Sequence, residues 1–220
     1  MAQVETNPKL LVNEIFHSIQ GESSLVGLPF TFIRLTGCPL RCTYCDTTYS
    51  YTGGQLMELS SILSAVESHG TEWVCLTGGE PLANKHALTL VTALKAAGKK
   101  ISIETDGEED VGPYVGLAKL IMDIKTPESG EKAELAFKNL EKLLPCDEIK
   151  FIICSESDYT WAKDVCKKFD LESRFTVLFS PAWGKLNLQD LSRLILKDRL
   201  RVRLQTQLHK HIWGENKKGV

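Results

Sequence analysis

The 220-residue sequence lacks several features that mark particular classes of protein. No stretch approaches the roughly 18 consecutive apolar residues of a membrane-spanning helix, and residues 1–9 contain no apolar signal-peptide core. The net charge is only −2 and no long lysine–arginine block occurs, so no extended nucleic-acid surface is indicated. The seven cysteines are an odd number with no export signal beside them, which argues against a disulfide framework. We therefore expect a reduced, cytoplasmic protein with neither a membrane nor a nucleic-acid partner.

Three of the cysteines lie close together in residues 38–47, CPLRCTYCDT, with the spacing C-x3-C-x2-C. Soft thiolates at this spacing favour zinc or an iron–sulfur cluster over hard cations. A closed zinc site and an electron-transfer 4Fe–4S cluster both need four ligands. The next cysteine, Cys75, is 30 residues beyond Cys45 in a different apolar run. A 4Fe–4S cluster on three thiolates leaves one iron open to another ligand, and a zinc knuckle or a cluster of reduced thiols is the alternative.

The spacing C-x3-C-x-aromatic-C resembles the signature of the radical S-adenosylmethionine (SAM) superfamily. The resemblance implies that Cys38, Cys42 and Cys45 each bind one iron of a 4Fe–4S cluster, whose fourth iron takes the amino and carboxylate groups of SAM. Reductive cleavage of SAM then gives a 5′-deoxyadenosyl radical. In such an enzyme the cofactor carries the difficult chemistry, and the protein supplies orientation and excludes water. The resemblance also implies that Tyr44 packs against the adenine.

Short apolar runs alternate with amphipathic stretches along the rest of the chain, which is typical of parallel βαβ units. From residue 30 onwards the alternation contains about six or seven strands, which are too few for a closed eight-stranded barrel of typical size. We predict an α/β fold of radical SAM type: a single-domain (residues 1–220), partial, open β/α barrel of about six parallel strands. Residues of about 10–54 form its substrate and cluster-loop region, and 205–220 its C-terminal tail. Strands are predicted at 10–16, 30–35, 73–76, 100–104, 118–124, 148–154, 174–179 and 200–204, and helices at 58–68, 84–97, 130–143, 159–170 and 187–197.

Polar or glycine-rich segments follow several of these strands at the point where each ends. Ligands bind at the carboxyl ends of parallel strands, so we expect these segments to share one mouth. Glycine in the turn 78–80 lets the backbone approach a ligand closely. The alternative interpretation of the turn 78–80 is an ordinary turn without a ligand. The alternative interpretation of the pair Asp123–Lys125 is a solvated ion pair. The segments are the cysteine loop, 78–80, Glu104, 123–125 and 179–182.

A second polar set lies outside the cysteine loop. Gln20 and Glu22 flank Gly21, and Arg34 ends the strand that leads into the loop. An amide, a carboxylate and a guanidinium together suit a planar heterocycle that carries an acid group, because the arginine fork binds carboxylates bidentately. The segment 205–213 adds histidine and amide groups from the other end of the chain, with a frayed basic terminus as its alternative.

Together these blocks resemble the 7-carboxy-7-deazaguanine synthases, a radical SAM family of deazapurine (queuosine) biosynthesis. The resemblance covers residues 11–213. It implies a lyase that converts 6-carboxy-5,6,7,8-tetrahydropterin into 7-carboxy-7-deazaguanine and ammonia by radical ring contraction, with SAM as a reusable cofactor. The motifs that carry it are NEIFHSIQGE at 13–22, FIRLTGCPLRCTYCDT at 32–47, TGGEP at 77–81 and QLHK at 207–210.

The same resemblance assigns roles to individual residues of this sequence. Mg2+ near the substrate is expected on Thr47, whose hydroxyl is a hard oxygen ligand. Flavodoxin or ferredoxin is implied as the reductant, and a homodimer as the assembly. The implied SAM contacts are Tyr44, Cys45, Asp46, Gly79, Asp123, Ile124, Lys125, Phe179, Ser180, Pro181 and Ala182. The implied substrate contacts are Ile19, Gln20, Gly21, Glu22, Arg34, Thr77 and His209.

The sequence departs from the family pattern at three places: Ser23 follows Q-G-E, residues 104–107 (ETDG) replace a smaller version, and the tail continues past Gly214. Two other functions stay open. A glycyl-radical-enzyme activase is also short, has the same cysteine spacing and would offer a peptide groove. A non-catalytic metal-binding or electron-transfer module would be favoured by a fourth nearby cysteine and would not respond to SAM.

Overall fold

The computed structural model describes residues 7–215 and 217–220. The polar start of the chain and Asn216, inside the expected 205–220 tail, lie outside the described residues. The strands are β1 (Lys9–Ile19), β2 (Pro29–Leu35), β3 (Gln55–Glu58), β4 (Trp73–Gly78), β5 (Lys100–Thr105), β6 (Lys119–Asp123), β7 (Glu148–Ile153), β8 (Thr176–Pro181) and β9 (Arg203–Leu204). The α-helices are α1 (Leu59–His69), α2 (Ala87–Ala96), α3 (Glu134–Asn139), α4 (Glu156–Phe169), α5 (Leu171–Arg174), α6 (Leu188–Asp198) and α7 (Leu208–Trp213).

These nine strands form one sheet in the order β3-β1-β2-β4-β5-β6-β7-β8-β9. From β2 to β9 in this order the neighbours are parallel, whereas β1 runs antiparallel to both β2 and β3. Across the part of the chain that the structure describes, β3 and β9 are the two edges, so the sheet is open. Six of its parallel strands have five to seven residues and β9 has two. This confirms the predicted partial β/α barrel of about six parallel strands. A single domain over 1–220 stays a prediction.

The two faces of the sheet differ in chemistry because successive strand side chains point to opposite faces. In β2, Ile33 and Leu35 belong to the main hydrophobic core, whereas Phe32 and Arg34 line a cavity on the other face. Helices α1, α2, α4 and α6 add their buried apolar residues to the same core and so cover the outer face. The inner face is left for a ligand.

The loop of residues 20–28, between β1 and β2, connects the first strands with the last ones. The backbone N–H of Ser23 donates to Gln205 Oε1 at 2.7 Å, and that of Leu208 donates to the Gly21 carbonyl at 3.0 Å. The Ser24 hydroxyl donates to the fully buried Glu148 at the start of β7. The loop is thereby fixed across the inner face, and it brings Gln20 to Glu104 of β5 and Glu22 to Lys150 of β7.

Several elements differ from the sequence-based expectation. Helix α5 was not predicted, and of the strand expected at 200–204 only the two residues of β9 form. Strand β3 was not predicted because it is a short edge strand with three of its four residues exposed. The predicted helix 130–143 is shortened to α3, since a 3-10 turn at Pro127–Ser129 and Gly130 at φ 80° precede it. Helix α7 lies inside the segment expected to be a tail. In the described ranges, no helix is long and apolar enough to cross a membrane.

Candidate active site

A cavity of about 250 Å³ opens at the carboxyl ends of the parallel strands, where ligands bind in such sheets. It contains groups from the predicted cluster, SAM and substrate sets, so the structure brings the three sets together. The predicted site residues that line it are Ile19, Gln20, Gly21, Glu22, Arg34, Cys38, Cys42, Tyr44, Cys45, Asp46, Thr47, Thr77, Gly79, Asp123, Lys125, Pro181, Ala182 and His209.

Three predicted SAM contacts do not line the cavity. Ile124 and Phe179 are fully buried members of the main core, and the ring of Phe179 packs edge-on against Phe151 at 5.5 Å between centroids. Both side chains therefore face away from the cavity, and the SAM contacts expected of these two residues stay predictions that only their backbone groups can meet. Ser180 follows Phe179 in β8, so its side chain points to the opposite, inner face. Its hydroxyl is buried and has no hydrogen-bond partner among the described residues.

The cysteine loop begins where β2 ends and is anchored to the barrel by Thr43, whose backbone N–H donates to the Ser129 carbonyl at 2.9 Å. Cys38, Cys42 and Cys45 are all partly exposed to the cavity. Burial raises the pKa of Cys38 and of Cys42 to about 11, and the neighbouring thiols add to the effect. Thiolates are the form that binds metal, so binding here has to release these protons.

The turn Gly78-Gly79-Glu80 packs directly on the cysteine loop. The backbone N–H of Glu80 donates to the Gly37 carbonyl at 2.8 Å, and that of Gly79 to the Leu35 carbonyl at 3.2 Å. A Cβ on residue 79 would lie 2.0 Å from the Gly37 oxygen and 2.7 Å from Cys38 Cβ. Only glycine fits at this position without moving the loop that presents the thiols.

Glu80 fastens the ends of two neighbouring strands to each other. Its buried carboxylate accepts the backbone N–H groups of Leu82 (2.8 Å) and Asp106 (2.6 Å) and the Thr105 hydroxyl (2.9 Å). Asp106 in turn lies 3.8 Å from Cys38 Sγ. The sequence identified Glu80 only as part of the turn motif. The structure shows that its carboxyl group joins this turn to the end of β5, next to Cys38.

Buried polar atoms without a hydrogen-bond partner in the described ranges lie in the half of the cavity around Tyr44, Asp123 and Lys125, or on a residue next in the chain to its wall. Tyr44 Oη, Asp123 Oδ1 and Ser180 Oγ are buried without a hydrogen-bond partner among the described residues. Lys125 Nζ lies 3.1 Å from Asp123 Oδ2 and 5.9 Å from the centre of the Tyr44 ring. Unpaired buried polar groups are costly, so they indicate a ligand that supplies the missing hydrogen bonds. SAM, with its amino, carboxylate and hydroxyl groups beside an aromatic base, fits this donor and acceptor set.

The other half of the cavity holds a polar network around Gln20, Thr77 and Glu104. Gln20 Nε2 donates to Glu104 Oε1 at 3.4 Å, and the Thr77 hydroxyl donates to Glu104 Oε2 at 3.1 Å. His209 packs on Gly21 so closely that a Cβ there would lie 2.1 Å from His209 Nδ1. Amide, carboxylate, hydroxyl and imidazole groups in this half can therefore form hydrogen bonds with a planar polar ligand.

Glu22 is a largely buried carboxylate of this half that an adjacent lysine stabilises. Its Oε2 accepts from Lys150 Nζ at 2.8 Å, and its Oε1 accepts from Gln207 Nε2 at 2.8 Å. Burial by itself would raise the pKa of Glu22, but Lys150 and His209 outweigh it and lower the pKa to about 2. Glu22 is therefore ionised at neutral pH and accepts hydrogen bonds only.

Arg34 brings a buried guanidinium to the same half. Its Nε donates to Glu14 Oε1 at 2.8 Å, and Glu14 is also held by the Tyr49 hydroxyl at 2.9 Å. The guanidinium lies 5.9 Å from the centre of the Phe16 ring. Among residues 7–215 and 217–220, its two terminal nitrogens have no hydrogen-bond acceptor, which leaves a fork for an anionic ligand group.

The sequence analysis missed several residues of the cavity wall. Lys150, on β7, was hidden because both faces of this strand are buried and its residues give no alternating pattern. Lys210 was seen only within the QLHK motif, yet its Nζ lies 2.7 Å from Asp46 Oδ2, and Gln207 reaches the same oxygen at 3.1 Å. Trp183 follows the β8 end and covers Lys210 at 5.5 Å. The sequence signal that could have revealed Lys150 is a basic residue inside the apolar run of β7.

Comparisons with known proteins agree with a three-cysteine loop at the mouth of an open β/α barrel. The family model of the Radical SAM superfamily matches residues 32–124. The chain is 39% identical to a 7-carboxy-7-deazaguanine synthase from Koribacter versatilis, over 95% of this chain and 99% of the relative. It is 37% identical to one from Chlorobaculum tepidum, over 99% and 100% respectively. Among solved structures, QueE from Escherichia coli superposes with a TM-score of 0.75 at 23% identity, covering 91% of this chain and 95% of that one, and this likeness shows a common fold.

The open β/α barrel and the three-cysteine loop at its mouth define a radical SAM enzyme, which uses a 4Fe–4S cluster and SAM. Sequence identity of 37–39% along nearly the whole chain identifies one family within this class of enzymes. The chain belongs to the 7-carboxy-7-deazaguanine synthase family.

Proposed function

We propose that this protein is a radical SAM carbon–nitrogen lyase that converts 6-carboxy-5,6,7,8-tetrahydropterin into 7-carboxy-7-deazaguanine and ammonia. The observation that carries the proposal is one cavity lined both by the cysteine loop and by the ionised Glu22 and the guanidinium of Arg34. The overall conversion loses only ammonia and is redox-neutral, so SAM is regenerated. Relatives that carry the name of this synthase along their whole length support the assignment.

Cys38, Cys42 and Cys45 hold the 4Fe–4S cluster, and the wall around Tyr44, Asp123 and Lys125 holds SAM. When bound, cluster and SAM together supply the radical that abstracts hydrogen from the substrate. The chain itself orients SAM: Asp123 Oδ1, which has no partner among the described residues, accepts a ligand hydroxyl or ammonium, and the turn at Gly79 brings its backbone against the methionine part. Trp183 and Lys210 pack against each other in the wall of the same cavity.

The substrate half suits a carboxylated pterin in its charges and hydrogen-bonding groups. The ionised Glu22 accepts N–H groups of the pyrimidine edge, since a carboxylate is an acceptor only. Gln20 and Thr77 provide neutral hydrogen bonds at the side where Glu104 fixes them. Arg34 and His209 take the anionic side of the ligand, with the guanidinium fork matching a carboxylate.

Thr47 is the proposed magnesium ligand. Its hydroxyl has only the Cys45 sulfur nearby, at 3.7 Å, among its contacts with the described residues, so it is available to a cation. Mg2+ keeps waters and ligand oxygens in its octahedral shell, so one protein oxygen is sufficient beside a substrate carboxylate. Flavodoxin or ferredoxin as the reductant, a homodimer and a cytoplasmic location complete the proposal, supported by the family resemblance and the unpaired cysteines.

The proposal is tested by turnover. Anaerobically reconstituted protein is mixed with reductant, SAM, Mg2+ and 6-carboxytetrahydropterin, and the product is followed by ultraviolet absorbance and mass. We expect 7-carboxy-7-deazaguanine without stoichiometric loss of SAM, and no product from Cys42→Ala. If SAM is cleaved while the pterin stays intact, the substrate assignment is wrong and an activase becomes the better interpretation. If SAM leaves the cluster spectrum unchanged, the protein is a non-catalytic cluster module.

A further inference from the structure

Lys150 lies between the two halves of the cavity and contacts a carboxylate of each. Its side chain is 11% exposed and projects from the inner face of β7. Lys150 Nζ is 2.8 Å from Glu22 Oε2, on the substrate side, and 3.7 Å from Asp123 Oδ2, on the SAM side. These two carboxylates come from the loop after β1 and from the end of β6. No sequence motif pointed to this bridge.

The two carboxylates that Lys150 bridges differ in the other positively charged groups around them. Asp123 has a second lysine in contact, Lys125 at 3.1 Å. The other donors to Glu22 are the neutral amides of Gln205 at 3.4 Å and Gln207 at 2.8 Å, and His209 adds only an electrostatic effect on its charge. Both ions are largely withdrawn from water, and a buried ion that loses its partner costs several kcal/mol. Removal of the ammonium would therefore affect Glu22 more than Asp123.

The position of the ammonium also depends on the SAM side. Asp123 has one oxygen engaged by the two lysines and the other, Oδ1, without a partner in the described part of the chain. A ligand on Oδ1 fixes the orientation of this carboxylate, and with it the ammonium and Glu22. Occupation of one half is thereby transmitted to the other through three side chains in contact, and such coupling is reciprocal.

We propose that Lys150 is a positioning residue that couples binding of the pterin to binding of SAM, by holding the Glu22 carboxylate in a fixed orientation relative to Asp123. The inference rests on the proposed function, since it takes Glu22 as a substrate contact and Asp123 as a SAM contact. Lys150 donates to these side chains and needs no direct contact with either ligand.

The test uses the cluster-loaded full-length protein under anaerobic conditions. Dissociation constants of 6-carboxytetrahydropterin are measured calorimetrically without SAM and at saturating SAM, and the spectrum of the reduced cluster reports SAM binding separately. Lys150→Met removes the charge at similar length, and Lys150→Arg keeps it. Lys99→Met is the matched control, because Lys99 is equally buried, at 12% exposed, and pairs with Glu67 at 3.1 Å, outside the cavity.

For the wild type we expect SAM to tighten pterin binding by about 5-fold or more. Lys150→Met should weaken pterin binding about 100-fold and remove its dependence on SAM, while SAM still changes the cluster spectrum. Lys150→Arg should recover at least tenfold of the lost affinity, and Lys99→Met should bind within twofold of the wild type. If Lys150→Met does not fold, Lys150→Gln, an uncharged donor, has the same expectation.

The inference is overturned if Lys150→Met or Lys150→Gln binds the pterin within threefold of the wild type, or if SAM still tightens binding in that variant. It is equally overturned if Lys99→Met shows the same loss, because the effect would then be one of general stability. A wild-type protein that binds SAM but not the pterin would refute the proposed function, and this inference with it. Wild-type turnover with unchanged coupling in the variant refutes the inference alone.

Discussion

Replacement of Gly79 by alanine tests whether the turn after β4 sets the position of the cluster ligands. Its methyl group would be built 2.0 Å from the Gly37 oxygen, 2.4 Å from the Gly37 carbonyl carbon and 2.7 Å from Cys38 Cβ. Side-chain carbons do not approach other heavy atoms closer than about 3.0 Å. The turn and the start of the cysteine loop therefore have to separate by about 1 Å. No flexible side chain is available to absorb this movement, since two of the three atoms are backbone.

The size of the effect follows from the geometry. Inserting a methyl group into a packed site of this kind costs about 1–3 kcal/mol, which lowers the melting temperature of a 220-residue protein by roughly 3–10 °C. Metal–ligand distances tolerate only about 0.2 Å, so a shift of about 1 Å at Cys38 is far more than a cluster accepts. We expect Gly79→Ala to fold, to lose more than half of its iron after reconstitution and to lose SAM binding.

The assay combines thermal unfolding of the metal-free protein, iron content after anaerobic reconstitution and the SAM-induced change in the cluster spectrum. Gly112→Ala is the control: Gly112 also has no positive φ, and the atom nearest to a methyl group at this position would be the flexible Asp110 carboxylate at 3.0 Å. Full iron content and normal SAM binding in Gly79→Ala would refute the steric argument. An equal loss in Gly112→Ala would show that the effect is not specific to the turn.

Three further predictions concern single side chains of the cavity. The Glu22 carboxylate, with its pKa lowered from 4.5 to about 2, should contribute about 3 kcal/mol to the unfolding free energy of the metal-free protein above pH 4.5, and lose this contribution as the pH falls towards 2. Urea unfolding of Glu22→Gln should therefore differ from the wild type most at neutral pH and converge with it near pH 2; a difference that is independent of pH would contradict the ion pair. Thr47→Val should leave the cluster spectrum unchanged but raise the Mg2+ concentration for half-maximal turnover about tenfold or more, because one oxygen ligand is lost; an unchanged Mg2+ titration would remove Thr47 from the metal site. Asp123→Asn should retain iron and weaken SAM binding about 10- to 100-fold, since it loses its charge against Lys125 and Lys150; equilibrium binding within threefold of the wild type would exclude Asp123 as a SAM contact.

The sequence by itself determined the chemistry of the cluster region. The three cysteines of the loop are local in the chain, and their number and spacing need no tertiary information to indicate an open iron. The alternation of apolar strands with helices was also enough for the parallel sheet, and with it for the edge at which Gly79, Asp123 and Pro181 lie.

Only the tertiary structure decided which strand residues enter the cavity. Strand β7 is buried on both faces, so its sequence contains no alternation that would separate Lys150, which faces the ligand side, from Phe151, which faces the core. The same holds for Phe179, whose side chain the structure places in the core. The bridge from Glu22 through Lys150 to Asp123 joins Glu22 to two residues more than 100 positions later in the chain, and its distances depend on how the loop after β1 crosses the sheet. A spacing along the chain carries no information on such a contact, because it is the packing of distant elements that creates it.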